Sequence, residues 1–443
     1  MSTFAPLFVP AELLEAVSGR SWLLAMLDAE RALANAGALA GVIPAHEAAA
    51  IAEACAVDGY DWEQLLQEGR HVGNPAEPLV RALVARLGKD TGRWAHFGAT
   101  SQDIVDTAAM LVARRALGLV LGDLDRVARA CATLARTHRD VPMAARTLLQ
   151  QAVPTTFGLK AAGWLVAVLD ARARLVQVRD EGLAAQLGGA AGTLAAFGEQ
   201  ALEVAALYAR ELDLDEPALP WHTNRVRVAE LGAALEIAAG VLAKIGLDIT
   251  LLAQTEVAEV REGGEHGGSS ALPQKRNAVG AVSTRACAEL VRAHASVLTS
   301  ALVQEHERAA GAWQAEWEAL SGALAYAGAT AAALAGSLEG LEVDPARMRA
   351  NLDLTGGQVV AERLAVLLTD RLGRTAARQL VRDASLRASK SGRAFRVELA
   401  VAETGLTVEE IDAALDPATY LGSAGALVER ALERYAAERK DEV

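Results

Sequence analysis

Prolines divide this chain so sparsely that its centre has room for little besides long helices. None falls between Pro78 and Pro142, between Pro154 and Pro217, between Pro220 and Pro273, or between Pro273 and Pro345. A proline inside a helix removes a hydrogen bond and clashes with the preceding turn, so gaps of this length are where uninterrupted helices fit. Within them apolar residues recur at three- and four-residue spacing, as at Ile104, Ala108 and Leu111, the period of a helix and not of a strand. Alanine and leucine carry most of the apolar content and only 4% of residues are aromatic, a mixture that favours closely packed helices over sheets. The expectation is an all-α fold.

Helices apolar on more than one face are not satisfied in one slim monomer. They imply a long bundle whose outer faces meet other copies of the chain. The text is choppier before Ile104 and breaks into shorter helical stretches after Pro345. This predicts an N-terminal helical domain over residues 1–104, a central long-helix bundle over 105–345 and a small helical C-terminal domain over 346–443. In the first, a helix from about Ser21 to Ala40 ends at Gly41, and residues 69–78 read as a loop. Near and inside the last, Asp344-Pro345 supplies a cap and first-turn pair, and Thr407 with Glu410 forms a capping box.

The formal net charge of −13 speaks against a nucleic-acid partner, which calls for a concentrated basic face. Any anion bound by so acidic a chain needs positive charge focused locally. Cys55, Cys131 and Cys287 form no CxxC pair and are odd in number, implying neither a disulfide framework nor a zinc site and fitting a reducing cytoplasm. No basic stretch followed by an apolar one opens the chain, and the apolar run from Leu231 to Ile245 contains Glu236 and Lys244. Neither a signal peptide nor a membrane span is expected.

Residues 262–277 hold the densest chemistry: four glycines within six residues, Ser269-Ser270, Pro273, then Lys275-Arg276-Asn277. The stretch reads as a loop running into a helix, with Ser269 or Ser270 as cap and Pro273 in the first turn. Lys275 and Arg276 would then sit where the helix dipole disfavours cations, as they would if an anion binds there. A flexible connector with a solvated Lys-Arg pair explains the residues equally well. Thr100-Ser101-x-Asp103 before the long central helix fits a purely structural capping box, or a second helix start offering hydroxyls and amides to a carboxylate. Gln150-Gln151, in a joint between two long helices, reads as exposed loop glutamines or as uncharged donors to a carboxylate, and Gln304 to Arg308 as a solvated helix face, with Arg308 a possible carboxylate fork. The glycine-rich stretch lacks the lysine of a phosphate-binding loop, His306 has no second histidine at zinc-protease spacing, and no metal or cofactor site is called for.

Taken together, Gly268-Ser269-Ser270-Ala271-Leu272-Pro273-Gln274-Lys275-Arg276-Asn277 resembles the signature of the fumarase/aspartase superfamily, with Leu272 in place of its usual methionine. Thr100-Ser101-x-Asp103-x-x-Asp106-Thr107 and Gln150-x-Ala152-x-Pro154 match the superfamily's other two blocks, in order. Further stretches, among them Gly73-Asn74-Pro75, Gln186 to Thr193 and Glu305 to Trp317, make the chain most similar to the carboxymuconate cycloisomerase branch. Leu148 supports that placement, because many lyases of the superfamily carry a histidine there. The resemblance implies a three-domain helical fold around a tetrameric multi-helix core, with each site drawn from different subunits. It implies a tricarboxylate substrate, whose carboxylate adds across a conjugated double bond to close a γ-lactone. Ser269 would be the proton donor, with Lys275 a competing candidate, and Thr100, Ser101, Gln150, Asn277 and Arg308 would bind the carboxylates. The alternatives are an adenylosuccinate-lyase-like C–N lyase and an inert helical scaffold.

Overall fold

The long helices form where the proline-free gaps leave room for them. In the computed structural model, which describes residues 3–263, 267–268, 271–402 and 404–440, the long helices of the centre are α2 (Ser101–Thr137), α3 (Phe157–Gln177), α5 (Val226–Leu252), α6 (Val279–Ser300) and α7 (Ala312–Glu339). They are preceded by α1 (Gly19–Leu39), and α4 (Ala201–Glu211) lies between α3 and α5. The described β-structure is two antiparallel pairs: β1 (Pro142–Thr147) with β2 (Gln150–Thr156), and β3 (Val260–Glu262) with β4 (Leu341–Val343). Apart from these ribbons and two isolated bridges, the regular structure of the described residues is helical.

Contacts divide the chain into two compact units. One comprises residues 1–125, 170–244 and 283–334, the other 126–169, 245–282 and 335–443. In the first unit α1 starts where expected: the Ser18 side chain accepts the Ser21 amide, and the helix buries Trp22, Leu23, Met26, Leu27 and Leu33. Trp22 donates its indole N–H to Ser321 Oγ of α7 at 3.0 Å, so a large apolar ring is buried without stranding its polar atom. α7 is the one described helix long and apolar enough to cross a membrane, and most of that apolar stretch is buried within the fold.

The second unit holds both ribbons and the C-terminal helices. Asp344 caps α8 (Pro345–Leu352) by accepting the Arg347 amide, and Thr407 and Glu410 make the reciprocal capping box of helix Val408–Leu415. Leu364, Leu368, Val381, Phe395, Leu399 and Ile411 form a core of their own, while Ala144 of β1 packs with Leu352, Val359 and Val360.

Three local expectations change. The loop read over 69–78 is confined to the residues between helix Trp62–Gly69 and helix Ala76–Gly92. Gln150-Gln151 does not simply join helices but opens the second strand of a hairpin. Gln304 to Arg308 lies on no helix face, since α6 ends at Ser300 and α7 begins at Ala312.

Candidate functional site

Asp103, in the first turn of α2, is fully buried and gathers the donors around it. Its carboxylate accepts the Thr100 amide at 2.9 Å, the Gly188 and Gly189 amides at 3.0 and 2.9 Å, and lies 2.6 Å from His222 Nε2. The capping reading of this segment is therefore only part of its role. One carboxylate fixes the start of α2, where Thr100 and Ser101 sit, to the turn at residues 188–190. Gly189 is obligatory there, because a Cβ on it would stand 2.8 Å from the Gly98 carbonyl oxygen.

Arg308 joins the same cluster. It donates to Gln102 Oε1 at 3.0 Å and to the Ala190 carbonyl at 3.0 Å. Gln102, fully buried, donates in turn to the His222 carbonyl at 2.8 Å and to Asp106 Oδ2 at 3.1 Å. Behind it Arg225 forks onto Asp106 at 2.8 and 3.0 Å and also binds Glu316, and Trp313 donates its indole N–H to Asp106 at 2.9 Å. Burial pushes the Glu316 carboxyl up, while Asp106 and Glu316 outweigh the effect of burial on Arg225 and hold its guanidinium more firmly protonated. A buried ion cluster of this kind contributes little net stability but is costly to break. The first unit thus brings Thr100, Ser101 and Arg308 together over a rigid polar base. Sequence reasoning missed that base (Gln102, Asp106, His222, Arg225 and Glu316), although Asp106 and Glu316 stand in stretches that carry the resemblance.

The second unit carries Gln150, Lys275 and Asn277. Gln150 follows the hairpin tip, where Thr147 pairs with Gln150 and the two-residue turn is Leu148-Leu149. Both leucines have positive φ, 50° and 64°, and they are 97% and 75% exposed. Arg146 forks onto the buried Glu259 at 2.9 and 2.7 Å, and Asn351 donates to Glu259 at 2.8 Å. Gln151 donates to the Asn351 carbonyl at 2.8 Å. The hairpin is thereby tied to the residue that precedes β3, and β3 leads into the glycine-rich stretch.

That stretch does not start a helix at Pro273. α6 begins at Val279, and its free amides at Gly280 and Ala281 are taken at 3.0 and 2.8 Å by the Glu262 carboxylate. The helix dipole already has its anion, so Lys275 and Arg276 lie in the preceding loop and not in the first turn. The loop is closed by a bridge between Gly268 and Arg276 and by Asn277, whose amide and side-chain Nδ2 donate to the Gly267 carbonyl at 2.8 and 3.0 Å. Lys275 borders an open cavity of about 1180 Å³ whose wall also includes Gln254, Glu262, Asn277 and Asp344. Ser269 and Ser270 lie outside the described residues.

Residues 11–292 match the Lyase family and residues 357–431 the Adenylosuccinate lyase C-terminus family. The chain is 44% identical to a 3-carboxy-cis,cis-muconate cycloisomerase of Bradyrhizobium diazoefficiens, over 97% of each protein. It is 46% identical to a nitrosuccinate lyase of Streptomyces davaonensis, over 94% of this chain and 91% of that one. Its fold superposes on the 3-carboxy-cis,cis-muconate lactonizing enzyme of Pseudomonas putida with a TM-score of 0.92 at 41% identity, covering 98% of this chain and 99% of that one.

Proposed function

Because the chain belongs to the fumarase/aspartase lyase family, we propose that it is a 3-carboxy-cis,cis-muconate cycloisomerase. What carries the reading is full-length similarity, in sequence and in fold, to enzymes of that name. In the reaction a substrate carboxylate oxygen forms a bond to the γ carbon. The conjugated double bond is consumed, and a proton is delivered to the carbon α to another carboxylate. Charge building on that carboxylate needs preorganised donors, and Lys275, Asn277 and the loop amides supply them in this reading. Thr100, Ser101, Gln150 and Arg308 hold the remaining carboxylates.

Ser269 donates the proton, with Lys275 as its rival for that role. In the reverse direction the leaving group is a carboxylate, which departs as a stable anion without being protonated. The apolar Leu148-Leu149 tip beside Gln150 suits such a leaving group, since it offers no side-chain acid. No redox or metal chemistry is required, so no cofactor is assigned.

The nitrosuccinate lyase relative favours one second reading. Nitrite is also a leaving group that needs no proton: removal of a proton α to a carboxylate, with cleavage of the C–N bond, would release nitrite and fumarate. The same tip accommodates it. A tetramer in a reducing cytoplasm completes the proposal. Ile237, Leu247, Leu290 and Val297 stand exposed on α5 and α6, and all three cysteines are free and buried. The test is a pair of assays on purified protein. Bleaching of the diene absorbance of 3-carboxy-cis,cis-muconate is expected, with argininosuccinate and adenylosuccinate inert. Nitrite release from nitrosuccinate without diene bleaching would replace the first reading by the second. Ser269→Ala is expected to lower kcat by about 100-fold or more, and near-normal turnover would pass the proton to Lys275.

A further inference from the structure

We propose that Glu30 and His96 are positioning residues for the anion site of Thr100, Ser101 and Arg308. Their carboxylate–imidazole pair pins the loop that leads into α2. The inference rests on the functional reading above and deepens it.

Glu30 sits on the buried face of α1 with its side chain fully enclosed, and its Oε1 lies 2.6 Å from His96 Nδ1. His96 has a left-handed backbone, φ 57°, a conformation unfavourable for a residue with a Cβ. The bond to Glu30 therefore holds the loop in a shape it would otherwise leave. The loop has little room to adjust. Gly98 lies against the Phe197 ring, where a Cβ would come within 2.5 Å, and its carbonyl lies against Gly189. From Gly189 the connection reaches the site directly, since Asp103 binds the amides of both Thr100 and Gly189, and Arg308 binds the Ala190 carbonyl. Release of His96 would shift Gly98 and, through Gly189, the groups proposed to grip carboxylates.

Charged groups reach His96 from two elements, Glu30 of α1 and Asp103 of α2. Tyr208 of α4 lies near both carboxylates and is pushed up by burial, so it stays neutral. His222 Nε2 lies 2.6 Å from Asp103 Oδ1. Burial pushes the His96 imidazole down, but Glu30, aided by Asp103, outweighs this and holds it above the usual histidine range. The folded-state value is raised, so the charged pair is fully present below the ordinary histidine range and is lost as pH rises through the raised value. Carboxylate binding should therefore weaken on the alkaline side.

The experiment compares wild type, Glu30→Gln and His96→Asn across and above the histidine range. Asparagine tolerates the left-handed backbone, and glutamine retains a hydrogen-bonding group. Two readouts are taken: KM and kcat with the substrate wild type turns over, and calorimetric binding of propane-1,2,3-tricarboxylate, which needs no turnover. Both variants are expected to raise KM and the tricarboxylate Kd about tenfold, equivalent to about 1.4 kcal/mol. In each, kcat should stay within about twofold and the alkaline weakening seen in wild type should disappear. Variants that bind the tricarboxylate as wild type does, with the same pH dependence, would reduce the pair to core packing whatever stability they lose. If neither variant folds, wild type decides: a tricarboxylate Kd that is flat with pH overturns the proposal, and an alkaline rise supports it. Wild type that binds the tricarboxylate with an alkaline limit but turns over neither carboxymuconate nor nitrosuccinate sinks the reaction and leaves the pair standing. Wild type that binds no tricarboxylate at all sinks the pair.

Discussion

Leu148 and Leu149 occupy a turn that an asparagine–glycine pair would fill without strain, and they expose apolar surface there. Strain of this sort concentrates at working sites. Combining Leu148→Asn with Leu149→Gly is expected to raise stability by about 1 kcal/mol, read as a higher denaturant midpoint, and to lower kcat/KM. A double variant that gains stability at no cost in turnover would separate the tip from the reaction. Arg225 gives the opposite case. Arg225→Met would leave Asp106 and Glu316 buried and facing each other without their cation, costing about 3–5 kcal/mol in equilibrium denaturation. The residues assigned to carboxylates in the proposed reaction could be named through the family resemblance, from the three sequence blocks and, for Arg308, from the stretch that begins at Gln304. Their supports could not. Glu30, His96 and His222 reach the site across tens to more than a hundred residues of chain, and no local pattern marks such partners.

Among the elements, the long helices were the most legible, since missing prolines and a helical apolar period both survive without tertiary context. Caps at Asp344 and Thr407 were equally readable, because each is completed within three residues. The β1–β2 hairpin was not: its second strand is largely polar, its pairing shifts register between Ala144 and Arg146, and its turn lacks glycine or asparagine. The start of α6 was misplaced for a related reason. The capping carboxylate comes from Glu262, 18 residues before Gly280, where a local search for a serine cap does not look. Glu262→Ala is expected to destabilise the protein by about 1 kcal/mol, measured by thermal or denaturant unfolding. It should also raise KM for the tricarboxylate, as the loop before α6 loses its anchor. An unchanged KM would confine Glu262 to the helix end.

For the whole molecule, the sequence signals the family most clearly. The three-part division at residues 104 and 345 stays a proposal, and the two compact units are each built from three separate stretches of chain. Thr100, Ser101 and Arg308 belong to one unit, and Gln150, Lys275 and Asn277 to the other. If other subunits complete each site, turnover should require the oligomer. Ile237→Glu combined with Val297→Glu places charge on exposed apolar positions of α5 and α6. The double variant should elute as a smaller species in light-scattering chromatography and lose turnover, with its helical circular dichroism retained. A fully active monomer would refute the shared-site proposal.

The closure at Gly267 has a practical consequence. A Cβ on that glycine would collide with the Asn277 carbonyl at 2.2 Å, so the two ends of the intervening segment meet where Gly267 and Asn277 touch. The segment between Gly268 and Arg276 is then a natural unit for a chimera. Its sequence can be exchanged for that of a relative with another leaving-group preference, with the splices made at Gly267 and Asn277. Whether selectivity travels with those few residues, or stays behind with the leucine-tipped hairpin, becomes a question that one chimera answers.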